Sequence, residues 1–383
     1  MISELMSSGR SILLNGEIQL VHPATRATST NPSRNNRSEG MSPPSGSEAS
    51  PHIVISLGDP AGIGMEVVLK ALADASLPSD MKPILVGCRR TLIDTHQRLQ
   101  QQSSVALADP NDLWIEDHPL TIAVEPGKPS VSGASAGFDW LTRAVMLLKE
   151  RKARALVTAP IAKHLWHEAG RIYPGQTERL AELAGSASSS MLFTAISPHT
   201  GWRLNTLLAT THLPLSQVSE VLSPAIVEQK LSVLLAFCQR FRPNPHLVVA
   251  GLNPHAGENG RLGSEETSWL GPLVDSWRQR HPDVRLDGPI SPDTCWLSAG
   301  QAWQSRRAGA PDGYLALYHD QGLIPLKLLA FDAAVNTTLE LSFLRTSPDH
   351  GTGFDIAADG IARADSMVAA LQAAWDLSAI RRA

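Results

Sequence analysis

The stretch Ile53–Gly64, IVISLGDPAGIG, decides the fold class of this 383-residue chain. Residues 53–57 form an apolar run that predicts a buried strand, and the glycines after it predict a turn that opens a helix over Glu66–Ala75. A second strand is predicted at Pro83–Val86, which makes the segment a strand–helix–strand unit. The turn matches neither the dinucleotide-binding fingerprint nor a phosphate-binding P-loop, and its glycines fit a tight turn as well as a direct ligand contact.

The same alternation of strand-like and helical segments continues along the chain. Helices are predicted at Gly137–Lys152, Pro224–Phe241 and Asp365–Leu377. Further strands are predicted at Ala155–Thr158, Met191–Ala195, Arg203–Thr210, Val248–Leu252, Tyr314–Tyr318 and Val335–Leu339. Strands that alternate with helices indicate βαβ units, so we expect a mainly parallel sheet with helices on both faces.

The composition is typical of a soluble globular protein of about two domains. Hydrophobic residues make up 43% and charged residues 18% of the chain, and the net charge of −4 comes without a block of Lys or Arg. Neither nucleic acid nor a membrane is therefore an expected partner. Three widely spaced cysteines indicate a reducing compartment, so we expect a cytoplasmic protein.

The first 50 residues differ from the rest in composition. They include a segment rich in Ser, Asn, Pro and Arg that has too few apolar residues to form a core. We expect residues 1–50 to be a disordered N-terminal extension. A transit peptide and a translation start at Met41 are the alternatives.

Three histidines each follow a predicted strand in a polar setting. His212 lies in Thr-His-Leu-Pro, His255 in Asn-Pro-His-Ala-Gly-Glu and His319 in Tyr-His-Asp-Gln-Gly. Strand ends are where α/β proteins bind ligands, and three neutral imidazoles with one open position describe a catalytic metal ion. Their spacings of 43 and 64 residues match no local zinc motif. The residues alone therefore leave open whether these are metal ligands or ordinary surface histidines.

Two further segments suggest binding of an anion and of a nucleotide. Lys327, Asn336 and Arg345 together have the donors to clamp a carboxylate or phosphate, although a solvated Lys, a turn Asn and a surface salt bridge are the simpler interpretation. The glycine-containing loop 349–357, DHGTGFDIA, has small residues, a hydroxyl and carboxylates that suit adenosine or ribose groups.

Seven motifs in the same order resemble the 4-hydroxythreonine-4-phosphate dehydrogenase family of pyridoxal phosphate biosynthesis. The resemblance extends over His52–Ala374. The motifs are GDPAGIG (58–64), TAPIAK (158–163), PGQTE (174–178), ATTHLPL (209–215), GLNPHAGE (251–258), YHDQG (318–322) and RTSPDHGT (345–352).

The resemblance implies an isocitrate/isopropylmalate-dehydrogenase-like fold with two α/β domains and a cleft between them. Residues 51–155 together with 330–383 would form the first domain, and residues 156–329 the second. It also implies a homodimer with the active site at the subunit interface, where His212, His255 and His319 bind one divalent ion. Three imidazoles suit zinc or cobalt better than magnesium.

The resemblance also implies the substrate and cofactor contacts. Residues expected to contact the substrate are Gln176, Thr177, Lys327, Asn336 and Arg345. NAD or NADP is expected at His350, Gly351, Thr352 and Asp355. Gln176 replaces a histidine found in many family members, so we expect this position to bind substrate rather than transfer protons. Met65 replaces a frequent proline and is expected to alter only the start of a helix.

The implied reaction oxidises the C3 hydroxyl of 4-phosphooxy-L-threonine with NAD or NADP, and the product loses CO2. Asp320, Lys163 and a metal-bound water are candidates to accept the hydroxyl proton, and Asp320 has the alternative role of orienting His319. Rival substrates are D-threonate and D-erythronate 4-phosphates. Aromatic cis-dihydrodiols, used by distant relatives, fit poorly with the cationic residues. A phosphate acyltransferase of related fold and an inactive metabolite-binding module are rival classes.

Overall fold

The computed structural model describes residues 50–305 and 309–379. The predicted N-terminal extension therefore lies outside the described residues, apart from Ser50. Within the described ranges, no single helix is both long and apolar enough to cross a membrane.

The described residues form eleven strands of one sheet. These are β1 (His52–Ser56), β2 (Lys82–Gly87), β3 (Trp114–Asp117), β4 (Ala155–Thr158), β5 (Ser190–Ile196), β6 (Arg203–Leu208), β7 (His246–Ala250), β8 (Arg285–Ile290), β9 (Gly313–Ala316), β10 (Val335–Leu339) and β11 (Leu344–Pro348). Their order across the sheet is β3-β2-β1-β4-β11-β10-β5-β6-β9-β7-β8.

Helices connect these strands. They are α1 (Gly64–Leu72), α2 (Arg89–Gln102), α3 (Val131–Lys149), α4 (Lys163–Glu168), α5 (Gln176–Ala184), α6 (Leu215–Val221), α7 (Pro224–Cys238), α8 (Gly271–Arg280), α9 (Leu297–Gln304), α10 (His319–Ala330) and α11 (Asp365–Ala379). Strands β1, β4 and β7 are buried along their whole length. A strand buried in this way has both faces covered, so the expected mixed α/β fold with helices on both faces is confirmed.

The sheet is mainly parallel, as predicted, but reverses direction near its middle. Strands β3, β2, β1, β4 and β11 are mutually parallel, and so are β6, β9, β7 and β8. Between them, β10 is antiparallel to both β11 and β5, and β5 is antiparallel to β6. Because three antiparallel pairs separate the two parallel groups, the groups point in opposite directions.

The glycine-containing turn after β1 is packed against protein backbone. A Cβ atom on Gly58 would overlap the Pro160 carbonyl oxygen, and one on Gly62 would lie 2.7 Å from the Thr352 carbonyl oxygen. The buried Asp59 carboxylate accepts the Ala61 N–H at 2.9 Å and so closes the turn. These glycines are therefore required by the tight packing of three chain segments, which supports the turn interpretation.

Several predicted boundaries differ from the observed ones. The strand predicted at 203–210 ends at Leu208, and the strand predicted at 314–318 ends at Ala316 because α10 begins at His319. The first helix spans residues 64–72 rather than 66–75. Lys327, expected near a strand, lies on α10.

We predict that Gly58→Ala destabilises the protein far more than Gly170→Ala. Both glycines have φ near +75° (74° and 76°), but the Cβ site of Gly170 has no atom within 4 Å. Gly170→Ala should therefore lower the free energy of unfolding only by the cost of a left-handed alanine backbone, about 1–2 kcal/mol. Gly58→Ala should lower it by about 1–3 kcal/mol more, because its Cβ atom also overlaps the Pro160 carbonyl oxygen. Thermal unfolding of the two variants measures this difference, and equal melting temperatures would contradict it.

Candidate active site

The three predicted metal ligands follow three neighbouring parallel strands. Strand β9 pairs in parallel with both β6 and β7, so the loops after these strands leave the same edge of the sheet. The rings of His212 and His319 lie together, with centroids 5.5 Å apart and planes inclined by 44°. Within residues 50–305 and 309–379 of one chain, no three His, Cys, Asp or Glu side chains are grouped closely enough to hold a metal ion. The single chain thus brings two of the three histidines together.

The His212–His319 pair has the spacing of imidazoles that share an ion. With metal–nitrogen distances of about 2 Å and tetrahedral geometry, two ring centroids lie about 5 Å apart. The Nδ1 atom of His319 is 2.7 Å from Asp320 Oδ1. A proton on Nδ1 in this hydrogen bond leaves the Nε2 lone pair free, which is how a carboxylate orients a metal-binding imidazole. The donor set therefore fits a divalent ion.

The surroundings of His212 favour its neutral form. Desolvation lowers the pKa of His212, and the nearby cationic groups His319 and Lys163 lower it further, while Glu178 acts in the opposite direction. Neutral imidazole is the form that binds metals. Lys163 is the first residue of α4, and Glu178 lies in the first turn of α5. The segment between β4 and β5 therefore supplies charges of both signs that act on His212.

The loop that contains His255 has an unusual backbone. Five successive residues, 255–259, have φ between 42° and 78°, a left-handed turn that costs about 1–2 kcal/mol for each residue other than glycine. The buried Glu266 carboxylate supports it by accepting the N–H groups of Leu252 (2.7 Å) and Asn253 (2.8 Å) and the Asn253 side-chain amide (2.9 Å). Strained backbone persists where surrounding structure fixes it, often at functional sites.

A second group of predicted residues surrounds Arg345 of β11. The residue is 4% exposed, and its guanidinium donates to Thr158 Oγ1 at 2.7 and 3.1 Å, to Thr338 Oγ1 at 3.0 Å and to Gln176 Oε1 at 3.3 Å. Gln176 also donates from Nε2 to the Ala159 carbonyl at 3.0 Å. Burial lowers the pKa of Arg345 to about 10, so the group remains cationic at neutral pH.

Asn336 lies on the same face of the β10–β11 hairpin as Arg345. Arg345 pairs with Thr338, and Asn336 is two residues before Thr338 on β10, so the side chains share a face. Among the described residues the buried Oδ1 atom of Asn336 has no hydrogen-bond partner. Thr177 lies beside Gln176 in the first turn of α5, where a helix leaves backbone N–H groups unpaired.

The predicted cofactor loop follows β11 and packs against the turn after β1. The N–H of Ile63 donates to the Thr352 carbonyl at 2.9 Å. His350 bonds through Nδ1 to the Gly351 carbonyl at 3.0 Å, and its Nε2 atom is buried without a partner in the described chain. Asp355 is exposed. The first turn therefore supports the cofactor loop through its backbone.

Helix α10 connects the histidine pair to this loop. It begins at His319, and eight residues later Lys327 forms an ion pair with Asp349 at 2.9 Å. A helix rises 1.5 Å per residue, so this path is about 12 Å long. The helix thus fixes the separation between the predicted metal ligands and the predicted cofactor loop.

Some residues of the site do not follow from the sequence patterns. These are Thr158, Glu178, Glu266 and Gln321. Three of them lie inside the quoted motifs, which were the available signal, and Glu266 lies outside. Each acts through contacts between segments that are distant along the chain, and one sequence contains no signal for such contacts.

We predict that Glu266→Ala loosens the loop that contains His255, because buried N–H donors lose their acceptor. Hydrogen exchange at residues 252 and 253 should accelerate by about 10- to 100-fold, the equivalent of about 1–3 kcal/mol. Glu265→Ala removes only a 2.8 Å contact to the Asn253 side-chain amide and is the matched control. Equal exchange in the two variants would show that Glu266 does not hold this loop.

Comparison with known proteins identifies relatives over most of the chain. The family model described as "Pyridoxal phosphate biosynthetic protein PdxA" matches residues 79–374. A 4-hydroxythreonine-4-phosphate dehydrogenase of Synechococcus sp. (strain RCC307) is 58% identical over 327 residues, covering 85% of this chain and 99% of that protein. The protein of the same name from Synechocystis sp. (strain ATCC 27184 / PCC 6803 / Kazusa) is 50% identical over 335 residues, covering 85% and 95%.

Solved structures agree with this assignment. The 4-hydroxythreonine-4-phosphate dehydrogenase of Klebsiella pneumoniae has a TM-score of 0.71 and 34% identity, covering 85% of this chain and 99% of that chain. A terephthalate 1,2-cis-dihydrodiol dehydrogenase of Burkholderia xenovorans LB400 shares the fold, with a TM-score of 0.55 and 23% identity over 84% and 97%. The resemblance stated from the seven motifs is thereby confirmed, and the chain belongs to the family of the pyridoxal phosphate biosynthetic protein PdxA.

Proposed function

We propose that this chain oxidises the C3 hydroxyl of 4-phosphooxy-L-threonine with NAD or NADP. The product, 2-amino-3-oxo-4-phosphooxybutanoate, decarboxylates to 3-amino-2-oxopropyl phosphate. Curated relatives at 46–58% identity are named 4-hydroxythreonine-4-phosphate dehydrogenases, which makes the chain an oxidoreductase of pyridoxine biosynthesis. The arrangement along α10 is the observation that most supports the finer proposal, because it joins the histidine pair to the loop proposed for the cofactor.

The metal ligands we assign are His212, His255 and His319. A divalent ion held there, zinc or cobalt in preference to magnesium, would stabilise the substrate alkoxide and polarise the new ketone. His212 and His319 already lie together in one chain, and the loop of His255 is held by Glu266. The resemblance implies that histidines of two subunits meet to complete one site.

We assign different roles to the two candidate catalytic residues. Asp320 bonds to His319 Nδ1, which supports a role in orienting this ligand. Lys163 is exposed at the start of α4, and its charge acts on His212, which supports a position beside the proposed metal site. We therefore place proton transfer at Lys163, which would accept the hydroxyl proton in its neutral amine form.

The anionic groups of the substrate fit the cluster around Arg345. All its hydrogen bonds go to neutral oxygens of Thr158, Thr338 and Gln176, so its charge is available to a phosphate or carboxylate. Asn336 and Thr177 add neutral groups. Lys327 forms an ion pair with Asp349, the first residue of the cofactor loop.

We assign NAD or NADP to the loop after β11, through His350, Gly351, Thr352 and Asp355. In this arrangement the strands of residues 51–155 and 330–383 belong to the first of the two proposed domains. Residues 156–329, which contain the histidines, form the second. The reacting carbon would lie along α10, which begins in the second domain and contacts the cofactor loop at Lys327.

Exposed apolar side chains beside the histidine pair support a homodimer. Ile324, Leu328 and Phe331 are 60%, 82% and 65% exposed and lie along one side of α10 and the residue after it. Leu213 and Leu215 are exposed directly after His212. Large apolar groups next to a polar site mark an interaction surface. A second copy of the chain would cover them and add its own residues to the site.

We expect the purified protein with zinc or cobalt to reduce NAD or NADP in the presence of 4-phosphooxy-L-threonine. D-threonate and D-erythronate 4-phosphates should be poorer substrates. His212→Ala and His319→Ala should each lower turnover by at least about 100-fold, because the ion loses a ligand. His281→Ala, which removes an imidazole stacked on Trp277, is the control. Preference for a sugar-acid phosphate would reassign the substrate, and inactivity with all three would overturn the proposal.

We expect Leu328→Glu to convert the dimer to a monomer, because a charge would be buried at the centre of the apolar surface. Ile122→Glu changes a residue that is 62% exposed after β3, at the far end of the sheet, and should leave the dimer intact. Sedimentation velocity measures both. A monomeric unsubstituted protein at micromolar concentration would contradict the proposed interface.

A further inference from the structure

We propose that Gln321 is a positioning residue for the metal site. Its amide links the strand end that precedes His319 to the strand end that precedes His255. The inference deepens the proposed function and rests on it, since it takes the three histidines as ligands. Gln321 is the third residue of α10 and is 7% exposed.

The Gln321 amide makes one hydrogen bond to each strand end. Oε1 accepts the N–H of Leu317 at 2.7 Å, and Nε2 donates to the Gly251 carbonyl at 2.6 Å. Pairing between β7 and β9 ends at Val249 and Leu315. The side chain therefore continues the connection between the two segments where backbone pairing has stopped, immediately before the two histidine loops.

The third histidine segment is attached to the same point. Thr210 Oγ1 donates to the Leu317 carbonyl at 2.7 Å, two residues before His212. Leu317 is thus held by its N–H and by its carbonyl, and the contacts run from Thr210 through Leu317 and Gln321 to Gly251. This path crosses the ends of β6, β9 and β7, the three strands that precede the proposed ligands.

A side-chain amide satisfies this geometry without any change of protonation state. The site requires an acceptor for one N–H and a donor to one carbonyl on the same rigid group, and an amide has both. A glutamate at position 321 would turn a second acceptor toward the Gly251 carbonyl, and a methionine would leave both backbone groups unpaired. The next residue, Gly322, has no room for a Cβ atom, which would lie 2.7 Å from the Leu208 side chain. The first turn of α10 is therefore fixed against β6.

Groups that orient metal ligands without contacting the ion typically contribute about 10- to 100-fold in metal affinity. We therefore expect Gln321→Met to weaken zinc binding by that factor, measured with zinc alone in competition with a chromophoric chelator. Gln372→Met is the matched control, because Gln372 also donates two hydrogen bonds, to the carbonyl and hydroxyl of Ser76, at a distant position on α11. Its zinc affinity should equal that of the unsubstituted protein.

Hydrogen exchange provides the second measurement. In Gln321→Met the amides near residues 251–257 and 317–320 should exchange faster, while those of β1 and β4 should not change. A folded Gln321→Met protein that binds zinc as tightly as the unsubstituted protein overturns the inference, and so does a lower melting temperature without a change in zinc affinity. If Gln321→Met does not fold, Gln321→Glu, which keeps the acceptor for Leu317, decides by the same measurements.

Failure of the proposed function gives a different result. If the unsubstituted protein binds no zinc, or if binding survives both His212→Ala and His319→Ala, the ligand assignment itself is wrong. If zinc binding requires these histidines but is unaffected at position 321, only the role of Gln321 is wrong.

Discussion

The antiparallel pairing of β10 with both β11 and β5 is the constraint on which the rest of the structure depends. Together with the antiparallel pairing of β5 and β6, it joins two parallel groups into one sheet and makes them point in opposite directions. The loops after β4 and β11 and the loops after β6 and β9 therefore leave opposite edges. In the proposed arrangement the hydride acceptor must lie close to the group that activates the alcohol, so segments other than strand ends would have to span the distance. Helix α10 spans this distance, because it begins at His319 of the histidine pair and contacts the loop after β11 through the Lys327–Asp349 ion pair.

The α4–α5 segment makes a second connection across the sheet. Glu178 lies close enough to raise the pKa of both His212 and Arg345, against the larger lowering that burial causes in each. Lys163, on the same segment, acts on His212 in the opposite sense. One short stretch between β4 and β5 therefore contributes charges of both signs that act on His212. It also contributes one negative charge that acts on Arg345. Glu178 therefore acts on both His212 and Arg345, although the strands β6 and β11 run in opposite directions.

The strands could be predicted from sequence because their signal is local. Apolar runs such as 53–57 and 247–250 are buried strands whatever their partners. The histidine positions followed from the same signal, since each comes just after such a run. The reversal of direction across β11, β10, β5 and β6 could not be predicted, because direction is set by which strands pair and not by the composition of any one of them.

Helix α10 and strand β11 show the limit of local patterns. Gly322 and Pro325 both disfavour a helix by intrinsic propensity, yet α10 forms because Gly322 fits against Leu208 where a larger residue could not. Strand β11 contains Arg345 and ends at Pro348, and this composition does not predict a buried strand. In both elements tertiary contacts override the sequence pattern, and both contain residues assigned to the site.

The surroundings of Arg345 supply a reason for substrate selection. Burying a guanidinium is costly unless its charge is compensated, and its hydrogen bonds here go to neutral oxygens of Thr158, Thr338 and Gln176. These groups fix its orientation without neutralising it. In the proposed site, an anionic substrate would add negative charge beside a guanidinium on which Glu178 is the carboxylate that acts, whereas an uncharged diol would add none. In this proposal, discrimination between the two would come from the charge of Arg345 as much as from the contacts that its neighbours offer.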